Sequence, residues 1–426
     1  MLYHWCVYRK NSKEVETMSD KALGANTGAS TELTDRIRSL MNEYADQVIE
    51  WRRYFHKYPE LSMQEFETTK RIAAELDKMG IPYEINPEKN TGLVATIQGG
   101  KPGKTVALRS DIDGLPVTEM TGVDFASTVP GCMHACGHDG HMSVLLGAAK
   151  ILQEVKDDLH GKVYLVFQAS EENGEGSKYM RRFGTWYDES DSIFGGHIWI
   201  DLPAGKINLE AGDRMAAAWE FHIYVHGKQG HGAQPHLSID TIVASSAIVM
   251  NLQSIVSRRF SPLDSVVLTV GKVTGGDRYN VISGETHMEG TLRYFSKQNG
   301  KDLMDLLVHV AKTTAEAYGA TVDVTFRQMG EALSNDAEHA KIGQRAVSKL
   351  LGEDTLAPME KTMGAEDFAF YLSEKPGCFA FFGIANPELG AVHSHHSNNF
   401  TIDESALPKA AGVYAQYAAE FLNGNE

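Results

Sequence analysis

Apolar positions along the chain change period several times, and each change marks an element. From Thr31 onward Leu33, Ile37, Leu40, Met41, Tyr44, Val48 and Ile49 recur every three or four residues, which predicts one amphipathic helix running to Phe55. Tyr58-Pro59-Glu60 breaks it. Phe66 to Met79 repeats the pattern and stops at Gly80, with Pro82 beyond. Two short apolar runs follow, Gly92 to Ile97 and Thr105 to Arg109, separated by Gly99-Gly100-Lys101-Pro102-Gly103. Lacking polar alternation, they predict strands covered on both faces. Helical spacing at His141 to Glu154, then strand-like runs at Lys162 to Phe167 and Ser192 to Trp199, continue the alternation of strand and helix. This part of the chain reads as an α/β domain, in which ligands sit beyond the strand ends.

The pattern changes after about Gly212. Ala217 to Val225 alternates, Asp240 to Arg258 is helical, Ser265 to Val273 and His287 to Tyr294 alternate, Lys301 to Tyr318 is helical, and Thr321 to Phe326 is the last strand. The order β-α-β-β-α-β suits a small α+β layer. Residues 213–329 therefore read as an inserted domain, with 31–212 and 330–426 forming one larger domain around it. Met1 to Ser30 differ in character: MLYHWCVYRK is aromatic-rich, and Met18 opens a polar, Gly- and Ala-rich run resembling a true start. They read as a flexible N-terminal extension.

Length and composition agree with two domains, since 426 residues exceed what a single core usually supports. Forty Lys and Arg against 56 Asp and Glu leave a formal charge of −16, which argues against a nucleic-acid partner because phosphate binding needs clustered cations. Four cysteines, Cys6, Cys132, Cys136 and Cys378, are no disulfide framework in so long a chain. No run approaches the ~20 apolar residues that span a bilayer, and the start lacks the order of a signal peptide, so no membrane association and a cytoplasmic location are expected.

Candidate chemistry is concentrated at a few points. Gly131-Cys-Met-His-Ala-Cys-Gly-His-Asp-Gly-His141 packs two Cys and three His, the donors borderline-soft divalent metals prefer, into eleven residues. A structural zinc knuckle would need a matching second half, and none follows. Glu171-Glu172 stand just after a predicted strand, where one carboxylate can hold a metal while its neighbour takes a proton from water. An isolated Glu-Glu pair is otherwise an ordinary solvated loop. Asp111-Ile-Asp113 also follows a strand, and residues two apart in an extended segment face one side, so both can bind a cation or orient an imidazole. His197 at a strand end, and His393, His395 and His396 near the C-terminus, are further imidazole candidates.

Taken together, Leu108-Arg-Ser-Asp-Ile-Asp-Gly-Leu-Pro116, Met133-His-Ala-Cys-Gly-His-Asp-Gly-His141, Glu171-Glu172 and Gly364-Ala-Glu-Asp-Phe368 resemble the co-catalytic metallopeptidases and amidohydrolases. That family includes carboxypeptidase G, aminoacylase, hippurate hydrolase and the indole-acetyl-amino-acid hydrolases. The resemblance runs from about Thr31 to Leu422 and is nearest to the amidohydrolase subgroup. It implies a metallopeptidase-type α/β catalytic domain with a central mixed sheet and an inserted, ferredoxin-like lid and dimerisation domain. It also implies two divalent ions per subunit, zinc or manganese first, with cobalt or nickel as further choices.

The same resemblance makes Cys136, His138, Glu172, His197 and His396 the ligands, Glu171 the general base and Asp113 a supporting carboxylate. His396 is taken over His395 because it stands four before Phe400 in a His-Ser-x-x-aromatic pattern, although Asn398 replaces the usual proline and His395 stays as the alternative. In the insert, Gly227-Lys-Gln-Gly-His231, Asn280-Val-Ile and Gly290-Thr-Leu-Arg293 resemble the family's segments that serve the substrate. His231 would support the oxyanion in the partner subunit of a homodimer, while Asn280 and Arg293 would hold a substrate carboxylate. A forked guanidinium fits a carboxylate on physical grounds as well.

The implied reaction is metal-dependent hydrolysis of an N-acyl amino acid to a carboxylic acid and a free amino acid. Alternatives are a dipeptidase or carboxypeptidase of the same family, or a non-catalytic binding protein on this fold. A zinc nucleoside deaminase would carry His-x-Glu before Pro-Cys-x-x-Cys, and neither element occurs.

Overall fold

A computed structural model describes the backbone of residues 20–424 and the side chains of residues 31–424. Residues 1–19, most of the expected flexible extension, lie outside the described residues. The remainder of that extension is helical: the first helix spans Asp20–Glu43 and so begins eleven residues before Thr31. The single helix expected to run from Thr31 to Phe55 is in fact two, Asp20–Glu43 and Ala45–Lys57, with a bend at Tyr44 (φ −95°, ψ 8°). The bend lets the first helix lie on the C-terminal helix Ala406–Asn423 while the second packs on His138–Val155.

The larger sheet has seven strands in the order Tyr83–Ile85, Leu93–Gln98, His160–Gln168, Lys101–Asp111, Ser192–Pro203, Gly377–Ala385 and Ile207–Asn208. The four from His160–Gln168 to Gly377–Ala385 run parallel, and antiparallel strands flank them on both sides. This is the α/β fold with a central mixed sheet. Val106, Ala107, Leu108, Val166, Phe167, Ile193 and Phe194 are all buried, as unbroken apolar strands require. Long helices cover one face, with Phe194 stacked on Tyr417 at 4.2 Å. The other face is closed by the short helices Gly176–Arg181, Trp186–Glu189 and Ala369–Leu372, whose Tyr179, Trp186, Tyr187 and Tyr371 are buried.

A second sheet contains four antiparallel strands in the order Val266–Gly275, Glu285–Tyr294, Ala217–His226 and Thr321–Gly330. Helices Thr241–Arg259 and Lys297–Ala317 cover one face, so the observed order is β-α-β-β-α-β. Phe221, Ile223, Val225, Met288 and Leu292 turn towards those helices and form a hydrophobic core separate from that of the larger sheet. The intervening residues Glu220, His222, Tyr224, His287 and Glu289 face the other way, as the two-residue period dictates. Asp240 and Ser296 cap the two helices by accepting backbone N–H groups.

Leu165 is fully buried in a central parallel strand. Leu165→Ala is expected to lower unfolding free energy by about 2–5 kcal/mol in urea denaturation; a change within ~0.5 kcal/mol, as at surface sites, would contradict this packing.

Candidate active site

The ends of the parallel strands set the geometry. Lys101–Asp111 delivers Asp111 and then Asp113, His160–Gln168 leads to Glu171 and Glu172, and Ser192–Pro203 carries His197. Gly377–Ala385 is followed by the loop with His395 and His396. Cys136 and His138 flank Gly137, whose φ of +97° and close approach to Ile198, 2.4 Å from an ideal Cβ, only glycine tolerates. The helix expected from His141 starts at His138, because its first turn, His138-Asp139-Gly140, is polar yet buried.

Hydrogen bonds fix the ring tautomers. His138 Nδ1–H donates to the Asp113 carbonyl at 2.9 Å and to Asp113 Oδ1 at 3.1 Å, which leaves Nε2 buried without a partner. His197 Nδ1–H donates to the Ile198 carbonyl at 2.5 Å, so its Nε2 lone pair faces Cys136 Sγ at 3.3 Å. Glu172 Oε1 is likewise buried without a hydrogen bond, 3.8 Å from His138 Nε2 and 3.6 Å from His396 Nε2. The donor atoms form two triads sharing one sulfur, Cys136–His138–His197 and Cys136–Glu172–His396, each with its atoms within 4.8 Å of one another.

His141 also lies in this cluster, but both its nitrogens are engaged. Nδ1–H donates to Asp111 Oδ1 at 2.6 Å and Nε2 accepts the Ile198 N–H at 3.0 Å, so in this arrangement it braces the strand that carries His197. His395 turns Nε2 to the Ile198 carbonyl at 3.0 Å, away from the centre, while His396 reaches Glu172 from a left-handed backbone (φ +66°). Ser170, just before the two glutamates, is also left-handed at φ +66°, and such strain gathers where a site must hold a set geometry.

Asp113 acts through acceptance. Its oxygens take the backbone N–H groups of Glu171 and Glu172, both at 3.1 Å, and the Ser62 hydroxyl at 2.6 Å. Glu171 brings an oxygen within 4.8 Å of Glu172 and of a His138 nitrogen, and its Oε1 accepts the Asp367 N–H at 3.1 Å. Beneath them the fully buried Arg109 guanidinium meets Asp111 at 2.8 Å, Glu366 at 3.1 Å and Asp367 at 2.8 Å.

The centre is short of positive charge. Burial, then Glu366 and Glu172, push Glu171 well above the ordinary carboxylate range. Burial raises Glu172 to about 7, and burial together with both glutamates pushes the Cys136 thiol far up. Burial opposes charge on His138, yet Asp111 and Asp113 raise it to about 10. Burial would also raise Asp113, but the His138 hydrogen bond and charge hold it low. Acceptor lone pairs, a thiol and surplus carboxylates thus converge with two buried donor atoms unpartnered, a set that fits divalent cations.

Sequence reasoning missed Arg109, Gln168, Ser62, Glu65 and the bracing role of His141. The Gly364-Ala-Glu-Asp-Phe368 motif was the one available signal, since it supplies Glu366 and Asp367. His231, Asn280 and Arg293 have no contact with the centre among the described residues. His231 is exposed and paired in register with Val281, next to Asn280, whose buried Oδ1 has no partner. Arg293 is half-buried on the helix-free face of the second sheet, and burial lowers its pKa with no carboxylate to oppose that.

The model of peptidase family M20/M25/M40 matches residues 107–420. The chain belongs to that family. It is thereby a hydrolase of amide or peptide bonds, with an α/β fold shared across the family. An N-acetyl-L-cysteine deacetylase of Bacillus subtilis is 40% identical over 381 residues, covering 89% of both chains. Thermostable carboxypeptidase 1 of Saccharolobus solfataricus is 36% identical over 394 residues, 92% of this chain and all of that one. A solved Bacillus subtilis structure described as a dinuclear metal-binding peptidase of family M20 superposes with a TM-score of 0.80 at 33% identity, covering 89% of this chain and 99% of that one.

The charge imbalance has a pH signature. Burial raises Glu65 to about 8, and burial raises Glu172 and Asp367 each to about 7. With these values raised, the metal-free native state holds protons that the unfolded chain has released, so stability falls as pH rises through this range. His138 acts in the same sense, its contribution full below 6.5 and declining towards 10. His134 and His395, lowered by burial to about 4, oppose this only below 6.5. Chelator-treated protein should therefore melt at a lower temperature at pH 8 than at pH 6.5; an equal or higher melting temperature at pH 8 would refute the assignment.

Proposed function

We propose that this chain hydrolyses the amide bond of N-acyl amino acids, releasing a carboxylic acid and a free amino acid. Cys136, His138, Glu172, His197 and His396 would hold two divalent ions, zinc or manganese first, with cobalt or nickel as further choices. The two triads meeting at Cys136 support a pair of ions over one. Bound there, such ions lower the pKa of coordinated water and polarise the amide carbonyl. The observation that carries the reading is the unequal restraint of two glutamates that reach one place: both carboxylates come within 4.8 Å of each other and of a His138 nitrogen, but Glu172 Oε1 has no partner while Glu171 is tied to the Asp367 N–H.

Glu171 is the general base. Its raised proton affinity suits taking a proton from the attacking water and passing it to the leaving amine. Asp113 supports the reaction by clamping the backbone of both glutamates and fixing the His138 tautomer. Arg293 and Asn280 would hold the substrate carboxylate, and His231 would support the oxyanion from the partner subunit. The uncommitted Arg293 guanidinium and Asn280 oxygen are compatible with that task. Residues 213–329 would then be a lid and a homodimer surface, and exposed Ile242, Val243 and Met250 on helix Thr241–Arg259 favour the latter. A peptide is itself an N-acyl amino acid, so the carboxypeptidase named among the relatives differs in acyl group rather than in chemistry. A non-catalytic binding protein would have no use for a Glu171 of raised proton affinity held beside a complete donor set.

We place the protein in the cytoplasm; Cys132, Cys136 and Cys378 are free and buried, and no described helix is long and apolar enough to cross a membrane.

Glu171→Gln should retain two ions yet lose about 10²–10⁴-fold in kcat on N-acetyl amino acids; turnover near wild type would remove Glu171 as base. Chelation should abolish activity and zinc or manganese restore it. Arg293→Ala should raise KM for an N-acyl amino acid but not for its C-terminal amide, and an equal effect on both would exclude carboxylate recognition.

A further inference from the structure

The helix-free face of the four-stranded sheet carries a second histidine cluster, remote from the centre above. His222 and Glu289 are direct cross-strand partners on Ala217–His226 and Glu285–Tyr294, and His287 stands two residues before Glu289 opposite Tyr224. Their donor atoms lie within 4.8 Å of one another. Tyr224 stacks on His287 at 4.4 Å with ring planes 4° apart, and the two imidazoles are nearly coplanar at 10°.

Proton positions make this arrangement informative. His222 Nε2 lies 3.3 Å from Glu220 Oε1, and His287 Nδ1 lies 3.5 Å from Glu289 Oε1. Glu220 thus stands at the outer nitrogen of His222, where a carboxylate orients a metal-binding imidazole. The inner nitrogens, His222 Nδ1 and His287 Nε2, face each other at 3.0 Å as hydrogen-bond partners, so two imidazole donors already meet at one point and a cation would enter by displacing the proton between them. Ligands ~2.0–2.1 Å from a tetrahedral ion are about 3.3 Å apart, so opening the pair by roughly 0.3 Å suffices.

We propose that His222, His287 and Glu289 form a third cation site, taking a borderline divalent transition ion such as zinc, nickel or copper. Imidazole and carboxylate donors select that class over calcium or magnesium. The side chains are only a quarter to a third exposed, at 25% for His222, 27% for His287 and 30% for Glu289, so the backbone of two paired strands presets most of the geometry. Lys272 bonds Glu289 at 2.8 Å and Arg327 stands 3.6 Å from Glu220. The Lys272 hydrogen bond keeps Glu289 ionised. The ion would clip the two central strands of the insert without touching the hydrolytic residues.

Zinc bound per chain, measured by elemental analysis after equilibration of the metal-loaded enzyme at low micromolar free zinc, tests this. Wild type should hold one equivalent more than H222A/H287A or H222N/H287N, with hydrolysis of N-acetyl amino acids unchanged in both variants. The paired substitutions keep the comparison available if one variant folds poorly. The C136A/E172A variant, impaired at the other centre, should still lose one equivalent when H222N/H287N is added. Equal zinc content in wild type and the folded histidine variants would overturn the proposal and assign the pair a shared proton instead of a metal.

Discussion

The Arg109 guanidinium is the constraint on which the catalytic end of the molecule depends. It is wholly buried and holds Asp111, Glu366 and Asp367 within 3.1 Å, while Gln168 takes its Nε at 2.9 Å. Each carboxylate passes the constraint on. Asp111 fixes His141, which accepts the Ile198 N–H and so sets the strand bearing His197. Asp367 receives the Ser177 N–H and Gln168, and its own N–H anchors Glu171. One side chain thus ties the proposed base to the wall behind a proposed ligand. A planar fork with five donors can do this, and a lysine ammonium cannot.

The same arrangement explains the electrostatics. Asp111, Asp113, Glu171, Glu172, Glu366 and Asp367 stand together with Arg109 as the permanent cation among the described residues, so burial and repulsion load protons onto Glu171 and Glu172, and the attraction of Asp111 and Asp113 holds one on His138 against burial. Buried like charges normally cost several kcal/mol each. Their retention makes sense where divalent cations supply the missing charge. Binding and proton release are then one equilibrium, because each cation displaces the protons that the empty centre collects.

The fold was legible where apolar period is strong. Unbroken runs gave three of the four parallel strands, not Gly377–Ala385, and alternation gave the second sheet. Boundaries failed where burial is polar: the first turn of the helix at His138 carries no apolar residue except through its glycine, and Tyr44 offers no signal for the bend. At the site, the density around Cys136 and the adjacency of Glu171 and Glu172 were visible because they are local. Arg109, Ser62 and Glu65 were not, since apart from Asp111 beside Arg109 the side chains and backbone groups they hold at the site are 51 or more residues away in sequence and meet them only through strand order, as Ser62 does with Asp113. The choice between His395 and His396 was equally hidden. It turns on which ring the Ile198 carbonyl occupies.

Two carboxylates side by side need separate restraints if they are to do separate work. Asp113 holds both backbones, yet the side chains are restrained differently because only Glu171 accepts the Asp367 N–H. The next residues complete the restraint. Gly174 has φ +70°, and an ideal Cβ there would lie 2.5 Å from the Met329 carbonyl, so the strand returning from the insert presses directly on the loop after Glu172. Arg327 of that strand stands 3.8 Å from Glu175. The loop is therefore gripped from below by Asp113 and the Arg109 network and from beside by the insert. Strand Thr321–Gly330 of the second sheet thus packs directly on the loop that follows the paired glutamates.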